Sequence, residues 1–260
     1  MSLSTLAATL LAVVSIQQVR SEQRLNEQGQ ITDRYSAAGA QLGDSSIDVR
    51  LTGIYALQRI MQDSPRDQPT IVNVLCAYVR THAALPAKQR PAIRHETNEL
   101  RRDLGQPAAD VAAALKVIGD RNPALDRGST VDLRHTDLTG ADLDRAHLPR
   151  ADLYGARLLR ASFENGDLRG AELEVTDSRE ANFDHADMRR IGLAGADLGG
   201  AVVASADLRG GASDLLRQEL LEAVPNRFTK LSPRLARDPQ VIQRECESDP
   251  PCHGEGAGLP

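Results

Sequence analysis

Hydrophobic positions recur every five residues between Val131 and Gly210. The third residue of each five is apolar except at Ser178, the first is most often alanine, and the second is most often aspartate. The phase holds without a slip over eighty residues, or sixteen fives. A helix repeats about every 3.6 residues and a strand about every 2. The pattern therefore predicts neither, but a backbone that turns a corner in every repeat.

These fives resemble the A(D/N)LXX motif of the pentapeptide-repeat family, as in ADLDR at 141–145 and ADLRG at 206–210. In that family four fives make one square coil of twenty residues, and successive coils stack as parallel strands. The resemblance implies a right-handed quadrilateral parallel β-helix of about four coils, preceded by an α-helical region. At a strand spacing of about 4.8 Å, four coils would form a prism about 19 Å tall.

The resemblance also implies four interior columns, because third-position side chains twenty residues apart would stack. Phe163 and Phe183 fall in one column on successive coils, which supports the four-sided register. Ser178 is the one polar member, with Thr176 beside it, and three interpretations are open: a local irregularity, a satisfied hydroxyl or a ligand contact. The predicted columns are Leu133, Leu153, Leu173 and Leu193; Leu138, Leu158, Ser178 and Leu198; Leu143, Phe163, Phe183 and Val203; and Leu148, Leu168, Met188 and Leu208.

Helical patterns flank the repeats. Asp48–Met61 and Ile71–Val79 are amphipathic and resemble a HEAT-type helical hairpin, and Pro107–Ile118 predicts a further helix that ends at Gly119. Ser213–Val224 predicts a helix that could cap the β-helix, since solenoid ends need cover. The predicted segments are 1–19, a candidate membrane anchor; 20–45, a long helix ended by Gly43; 46–122, α-helical; 123–212, the β-helix; and 213–260, a capping helix and an irregular tail.

The N-terminal segment 1–19 contains no charged side chain. Its apolar part spans fourteen residues, or about 21 Å of helix, against a hydrocarbon core of about 30 Å. Two interpretations are open: a membrane anchor with the rest of the chain in the cytoplasm, or the buried end of a long helix. EQGQITDRY at 27–35 resembles the front part of actinobacterial membrane-associated pentapeptide proteins, which favours a transmembrane helix and a location at the cytoplasmic side of the membrane.

Composition narrows the classes of partner. The chain has a net charge of −5, no tryptophan, three phenylalanines and four tyrosines. So few aromatic side chains argue against a base-stacking surface, and we expect no nucleic-acid partner. Cys76 lies in an apolar stretch and is predicted to be a buried thiol. Cys246 and Cys252 fit no zinc pattern and are interpreted as ordinary tail residues, and the odd number of cysteines suits a reducing compartment.

No catalytic pattern is found along the chain. It has no phosphate-binding glycine loop, no HExxH and no nucleophile elbow, so we expect no enzyme, no cofactor and no metal. Aspartate at the second position of a repeat can hydrogen-bond the backbone of a turn, which explains the number of aspartates without a metal site. His135, His147 and His185 are predicted to face outward, and Arg189–Arg190 is interpreted as a solvated face.

Two functions are compatible with these features. The first is a non-enzymatic protein-interaction or scaffold module at the cytoplasmic face of the membrane, with an unknown protein partner. The alternative is a DNA mimic that binds gyrase and protects it, as some pentapeptide proteins do. The repeats carry fifteen acidic and ten basic side chains, and such mixed charge makes gyrase the less favoured partner.

Overall fold

The computed structural model describes residues 17–18, 29–86, 105–211 and 213–249, and the side chains of 213–216 are outside that description. The chain separates into two compact units, Met1–Ser64 and Pro65–Pro260. The five segments and the HEAT-type hairpin, whose helices come from different units, stay predictions.

Two helices, α1 (29–42) and α2 (Ile47–Asp63), make up most of what is described of the first unit. Ile54 of α2 is fully buried. A Cβ atom at Gly53 of α2 would lie 2.9 Å from the carbonyl oxygen of Ala38 on α1. Glycine at this position therefore permits the close approach of the two helices.

The second unit begins with α3 (Gln68–His82) and α4 (Ala109–Asp120), which pack against each other. Between them the Tyr78 hydroxyl donates a buried hydrogen bond to Oδ2 of Asp110 at 2.6 Å. A buried carboxylate needs such a partner. The buried apolar side chains of the pair are Ile71, Val72, Leu75 and Val79 on α3 and Val111, Leu115, Val117 and Ile118 on α4.

Helix α4 does not end where the sequence predicted. It begins at Ala109 instead of Pro107 and continues through Gly119. A Cβ atom at Gly119 would lie 2.9 Å from Cβ of Ala146 in the repeats, and the Gly119 carbonyl accepts the His147 N–H at 2.8 Å. Gly119 therefore allows α4 to pack closely against the first turn of the repeats, and it does not end the helix.

Parallel bridges link residues twenty positions apart throughout the repeats, from Asp132–Asp152 to Asp187–Asp207. The Leu133 N–H donates to the Asp152 carbonyl at 2.8 Å, and the Asp152 N–H donates back to the preceding turn at 2.8 Å. Twenty residues are four repeats, so each turn has four sides and the repeats form a quadrilateral β-helix. Within 131–210 the contacts are isolated bridges and not longer strands, and the number of coils stays a prediction.

Every fifth residue of the repeats adopts a positive φ, and these residues form the corners. Glycine occupies six corners, with φ between 62° and 82°, and other residues occupy ten, with φ between 56° and 61°. Most corners are closed by a backbone hydrogen bond such as that from the Ala141 N–H to the Leu138 carbonyl, at 3.0 Å. A positive φ is uncommon for residues other than glycine, so the regular repeat of this conformation sets the turn at each corner.

The third-position side chains of the repeats are at most 4% exposed. The rings of Phe163 and Phe183 stack with centroids 5.2 Å apart and an interplanar angle of 9°. Ser178 is fully buried and its hydroxyl lies 2.9 Å from that of Thr176. Thr176 in turn donates to the Leu173 carbonyl at 2.8 Å. Of the three interpretations of Ser178, the structure therefore supports a satisfied hydroxyl.

The N-terminal edge of the β-helix is paired with the chain that follows α3. Ala84 forms an antiparallel bridge with Thr136, and the Leu85 N–H donates to the His135 carbonyl at 3.0 Å. The buried Arg121 donates one hydrogen bond to the His147 carbonyl at 2.5 Å and forms an ion pair with Asp126 at 2.8 Å. The second and fourth sides of the first turn are therefore paired at their outer edge.

The C-terminal edge is covered by α5 (Ser213–Glu222) and the segment after it. Val224 and Lys230 continue the parallel bridging onto Val202 and Asp207. The sequence predicted an irregular tail after Pro225, but α6 (Pro239–Ser248) is helical. Its cap explains the difference, because Asp238 accepts from the Gln240 N–H at 3.0 Å and proline, which suits a first helical turn, follows at once.

The predicted transmembrane helix is corrected by the structure. In the ranges described above, no helix combines the length and the apolar character needed to cross a bilayer. Apart from Gln17 and Gln18, segment 1–19 lies outside the described residues. The membrane-associated location was predicted from that segment and from the resemblance of the front part. This prediction is corrected together with the transmembrane helix.

Candidate functional site

The fourth side of the β-helix, above the column of Leu148, Leu168, Met188 and Leu208, carries an exposed cluster of arginines. They line an open groove of about 900 Å³, which we call the arginine groove. The groove residues recur at a spacing of twenty residues at two positions of the repeat, the fourth and the corner. They are Arg150, Arg169, Gly170, Arg189, Arg190, Arg209 and Gly210.

Three of these arginines form a ladder with the aspartates of the same side. Arg169 donates to Asp167 from Nε and Nη2, both at 2.7 Å, and Arg189 and Arg209 hold Asp187 and Asp207 in the same bidentate way. Arg169 and Arg189 also approach the aspartate of the next turn, at 3.8 Å to Asp187 and 3.9 Å to Asp207. The ladder is electrically balanced, with three arginines and three aspartates.

The ladder changes the acidity of two of its carboxyl groups. Hydrogen bonds from Arg189 and Arg209 lower the pKa of Asp187 and Asp207 below the ordinary value of 3.8. The same contacts raise the pKa of both guanidinium groups. The Asp187–Arg189 and Asp207–Arg209 ion pairs are therefore charged at neutral pH.

The corner column of this side reads Arg150, Gly170, Arg190 and Gly210. Within the described part of the chain, Arg150 and Arg190 have no ion-pair partner, and both are exposed. Gly170 lies between them, so the column has a gap with one arginine on each side. We call Arg150, Gly170 and Arg190 the arginine notch.

The four sides of the β-helix differ in charge; they are numbered in chain order, with the first side beginning at the repeat 131–135. The fourth side has five arginines against three aspartates. The other sides each carry more carboxylates than arginines; the third, for example, has Asp142, Asp144, Glu164 and Asp184 against Arg145. The net positive charge of the fourth side is therefore a local property of a chain whose net charge is −5.

The sequence alone identified only Arg189–Arg190 of this site, and interpreted it as a solvated face. Arg150, Arg169 and Arg209 were missed because they lie twenty or forty residues away along the chain. Comparing the fourth and fifth positions of the repeats at a spacing of twenty would have found them. That comparison uses the register that the phenylalanine column had already supported.

The three repeat histidines do not gather into one site. His147 and His185 are exposed, and the ring of His135 lies edge-on to Tyr154 with centroids 5.6 Å apart. Among the residues that the structure describes, no three His, Cys, Asp or Glu side chains are arranged to hold a metal ion.

The cysteines differ from one another. Cys76 is a free thiol, 1% exposed, and burial raises its pKa to about 11. Such a thiol is protonated and unreactive near neutral pH. Cys246 was interpreted as an ordinary tail residue, but it is disulfide-bonded.

Comparisons with known proteins address the repeats. A family model described as pentapeptide repeats matches residues 130–165 and 157–191, with 8 copies. A pentapeptide repeat protein from the thylakoid lumen of Arabidopsis thaliana is 31% identical, over 35% of this chain and 70% of that one, with a TM-score of 0.28. Rfr23, from the cyanobacterium Cyanothece 51142, is 22% identical over 43% and 77%, with a TM-score of 0.26.

A third solved structure, QnrB1, is a plasmid-mediated fluoroquinolone resistance protein. It is 19% identical over 42% of this chain and 78% of that one, with a TM-score of 0.17. No curated protein matches the chain. The matched family model agrees with the five-residue period and with the bridges at a spacing of twenty residues. The chain therefore belongs to the pentapeptide-repeat family, whose repeats imply a right-handed quadrilateral β-helix.

Proposed function

We propose that this chain is a non-enzymatic interaction module, in which about four coils of β-helix present their outward side chains to a partner protein. Members of the family are generally structural or interaction modules. In this chain the outward surface of the repeats would contact the partner protein.

The observation that carries the proposal is the arginine groove on one side of a well-supported scaffold. The interior columns are buried, and backbone hydrogen bonds cover both ends of the repeats. Outward side chains are therefore held on a backbone that needs little ordering when a partner binds, and this lowers the entropic cost of association. Arginine is also enriched in protein interfaces.

The chemistry of the groove favours binding over catalysis. Arginine and glycine line it, and they offer fixed cations and hydrogen-bond donors. A guanidinium stays protonated, so it cannot act as a general base or as a nucleophile. A site of this kind recognises anionic groups without transforming them.

The alternative proposal is a DNA mimic that binds gyrase. Such a mimic must present a continuous negative surface in place of the phosphates of a duplex. The five arginines of the fourth side, and Arg134, Arg157 and Arg160 on two other sides, interrupt any such surface. The mixed charge therefore favours the interaction module.

The experiment uses four variants of the full-length chain as bait, each altered on one side. A partner captured by the wild-type chain is purified, and its affinity for each variant is measured by calorimetry. We expect one variant to lose the partner and the other three to keep it. Capture that is equal for all four variants would contradict binding through the sides. The variants are Asp152→Asn with Glu172→Gln; Arg160→Asn with Glu180→Gln; Asp142→Asn with Asp184→Asn; and Arg150→Asn with Arg190→Asn.

A further inference from the structure

We propose that the arginine notch binds an extended acidic segment of a protein, with one carboxylate at Arg150 and a second at Arg190. This inference rests on the proposed interaction function, because it specifies the chemistry of the partner. The occupant is a segment whose aspartate or glutamate side chains are spaced to match the two arginines.

The gap at Gly170 is not required by the fold. Gly170 has a φ of 66°, and ten other corners hold non-glycine residues at φ between 56° and 61°. A Cβ atom at Gly170 would lie 3.5 Å from Cγ of Arg150, which is ordinary van der Waals contact. A larger residue could therefore stand here, as Glu180 and Asn165 do at their corners. Glycine leaves space between two arginines that the backbone itself does not demand.

The two arginines of the notch are also the arginines of the fourth side that hold no aspartate among the described residues. Arg169, Arg189 and Arg209 already hold aspartates at 2.6–2.7 Å. Arg150 and Arg190 have no such partner among the described residues, so a ligand carboxylate would not have to displace one. A guanidinium binds a carboxylate through two parallel hydrogen bonds, which makes this pairing strong and geometrically selective.

The spacing of the notch favours an extended segment. Arg150 and Arg190 are forty residues apart, which is two turns, or about 9.6 Å at a strand spacing of about 4.8 Å. In the polyproline II conformation, residues three apart share a face and lie about 9.3 Å from each other. Carboxylates at positions i and i+3 of such a segment would therefore meet the two arginines together.

The charge of the surroundings disfavours a nucleic acid in the notch. The fourth side has an excess of only two positive charges, and the neighbouring third side has four carboxylates against one arginine. A duplex carries a negative charge about every 1.7 Å along its axis, so it would meet these carboxylates. Two excess charges suit a short segment with two carboxylates.

The binding experiment measures fluorescence anisotropy of a labelled nonapeptide with glutamate at every third position among prolines and serines. The protein is the full-length chain. We expect saturable binding that weakens as salt rises. A peptide of the same composition with its glutamates contiguous should bind at least about threefold more weakly, and one with glutamine in place of glutamate should not bind detectably.

Two variants test the notch, each with a matched control. Arg150→Asn with Arg190→Asn should weaken binding at least about tenfold, and Arg145→Asn, at a corner of the third side, should not. Asparagine is chosen because Asn165 adopts the corner conformation with a φ of 57°. Gly170→Glu should abolish binding by filling the notch with a negative charge. Gly195→Glu is its control, at a corner of the first side with a φ of 69°, where a Cβ atom would lie 3.9 Å from Cγ2 of Val175.

Three results would overturn the inference: no peptide binding, binding unchanged by the notch variants, or tighter binding of a duplex oligonucleotide than of the peptide. Circular dichroism of each variant verifies that it is folded. These failures are distinct from failure of the proposed function. If the capture experiment loses the partner on another side, the interaction module stands and the notch is excluded as its binding site.

Discussion

Phe163 and Phe183 are the largest fully buried side chains of the β-helix. They lie one turn apart in the column that also holds Leu143 and Val203, and their rings stack with centroids 5.2 Å apart. Aromatic pairs contribute about 0.5–1.5 kcal/mol beyond the burial of their area. The two middle positions of this column should therefore be the interior positions most costly to truncate.

The first prediction concerns this pair. Phe163→Ala and Phe183→Ala should each lower the free energy of unfolding by about 3–5 kcal/mol, because each removes a buried ring and leaves a cavity. Tyr154→Ala is the control, since its side chain is 41% exposed, and it should cost less than about 1 kcal/mol. Urea unfolding followed by circular dichroism measures all three. Equal small losses at the three positions would exclude the stacked interior register.

At the scale of one element, the aspartate at the second position of the repeats ties each side together. Its carboxylate accepts the N–H two residues later, as Asp187 does from Arg189 at 3.3 Å, which agrees with the turn role predicted from the sequence. On the fourth side the same carboxylate also holds an arginine side chain. One aspartate therefore supports both its own turn and the ladder that lines the arginine groove.

The second prediction is a pH dependence of this ladder. The folded pKa of Asp187 and Asp207 is lowered below 3.8 by Arg189 and Arg209. The ladder therefore contributes stability that is fully present above pH 3.8 and is lost as pH falls through the folded pKa values. Asp187→Asn with Asp207→Asn should be less stable than wild type at pH 6, and the difference should shrink below pH 3.8. Urea unfolding at a series of pH values measures it.

A matched control separates charge from turn geometry. Asparagine keeps the turn bond, because Asn182 accepts from the Asp184 N–H at 3.0 Å. Asp142→Asn changes the same position on the third side, where Asp142 accepts from the Asp144 N–H and forms no arginine bridge among the described residues. Its effect on stability at pH 6 should be smaller than that of the double variant. A loss as large as that of the double variant would show that the ladder charges are not the cause.

At the scale of the whole molecule, charge is distributed unevenly between the sides of one prism. The repeats carry fifteen acidic and ten basic side chains, yet the fourth side is net positive. A duplex has about eleven charges over about 19 Å of axis, the height expected of four coils. No side of this β-helix approaches that density, so the molecule is a poor electrostatic copy of DNA.

The third prediction follows from this mismatch. The purified full-length chain at low-micromolar concentration should leave the supercoiling activity of gyrase unchanged. A gel-based supercoiling assay over a range of salt concentrations measures it, with a known gyrase inhibitor as positive control. Inhibition that weakens as salt rises, and that vanishes when Asp142 and Asp152 are replaced by asparagine, would support the DNA-mimic alternative instead.

Sequence patterns predicted the repeats much better than their surroundings. The phase of the leucines identified the residues that are buried, and the position of Phe163 and Phe183 indicated which turns are neighbours. The role of Gly119 was misread, because a glycine near the end of a helix resembles a stop whether or not another element packs on it. Helix α6 was missed because it is short and polar, and Val241 is its one buried residue.

The sequence by itself determined which side chains face inward and where the chain turns, because both follow from a local period of five residues. Only the tertiary structure decided which outward side chains become neighbours. Arg150 and Arg190 are forty residues apart, and they share an edge because backbone hydrogen bonds join residues twenty apart in every turn. The covers at the two ends were likewise decided by long-range contacts. Arg121 donates a hydrogen bond to the His147 carbonyl, and Ala84 pairs with Thr136. No periodic pattern in the sequence indicates either contact.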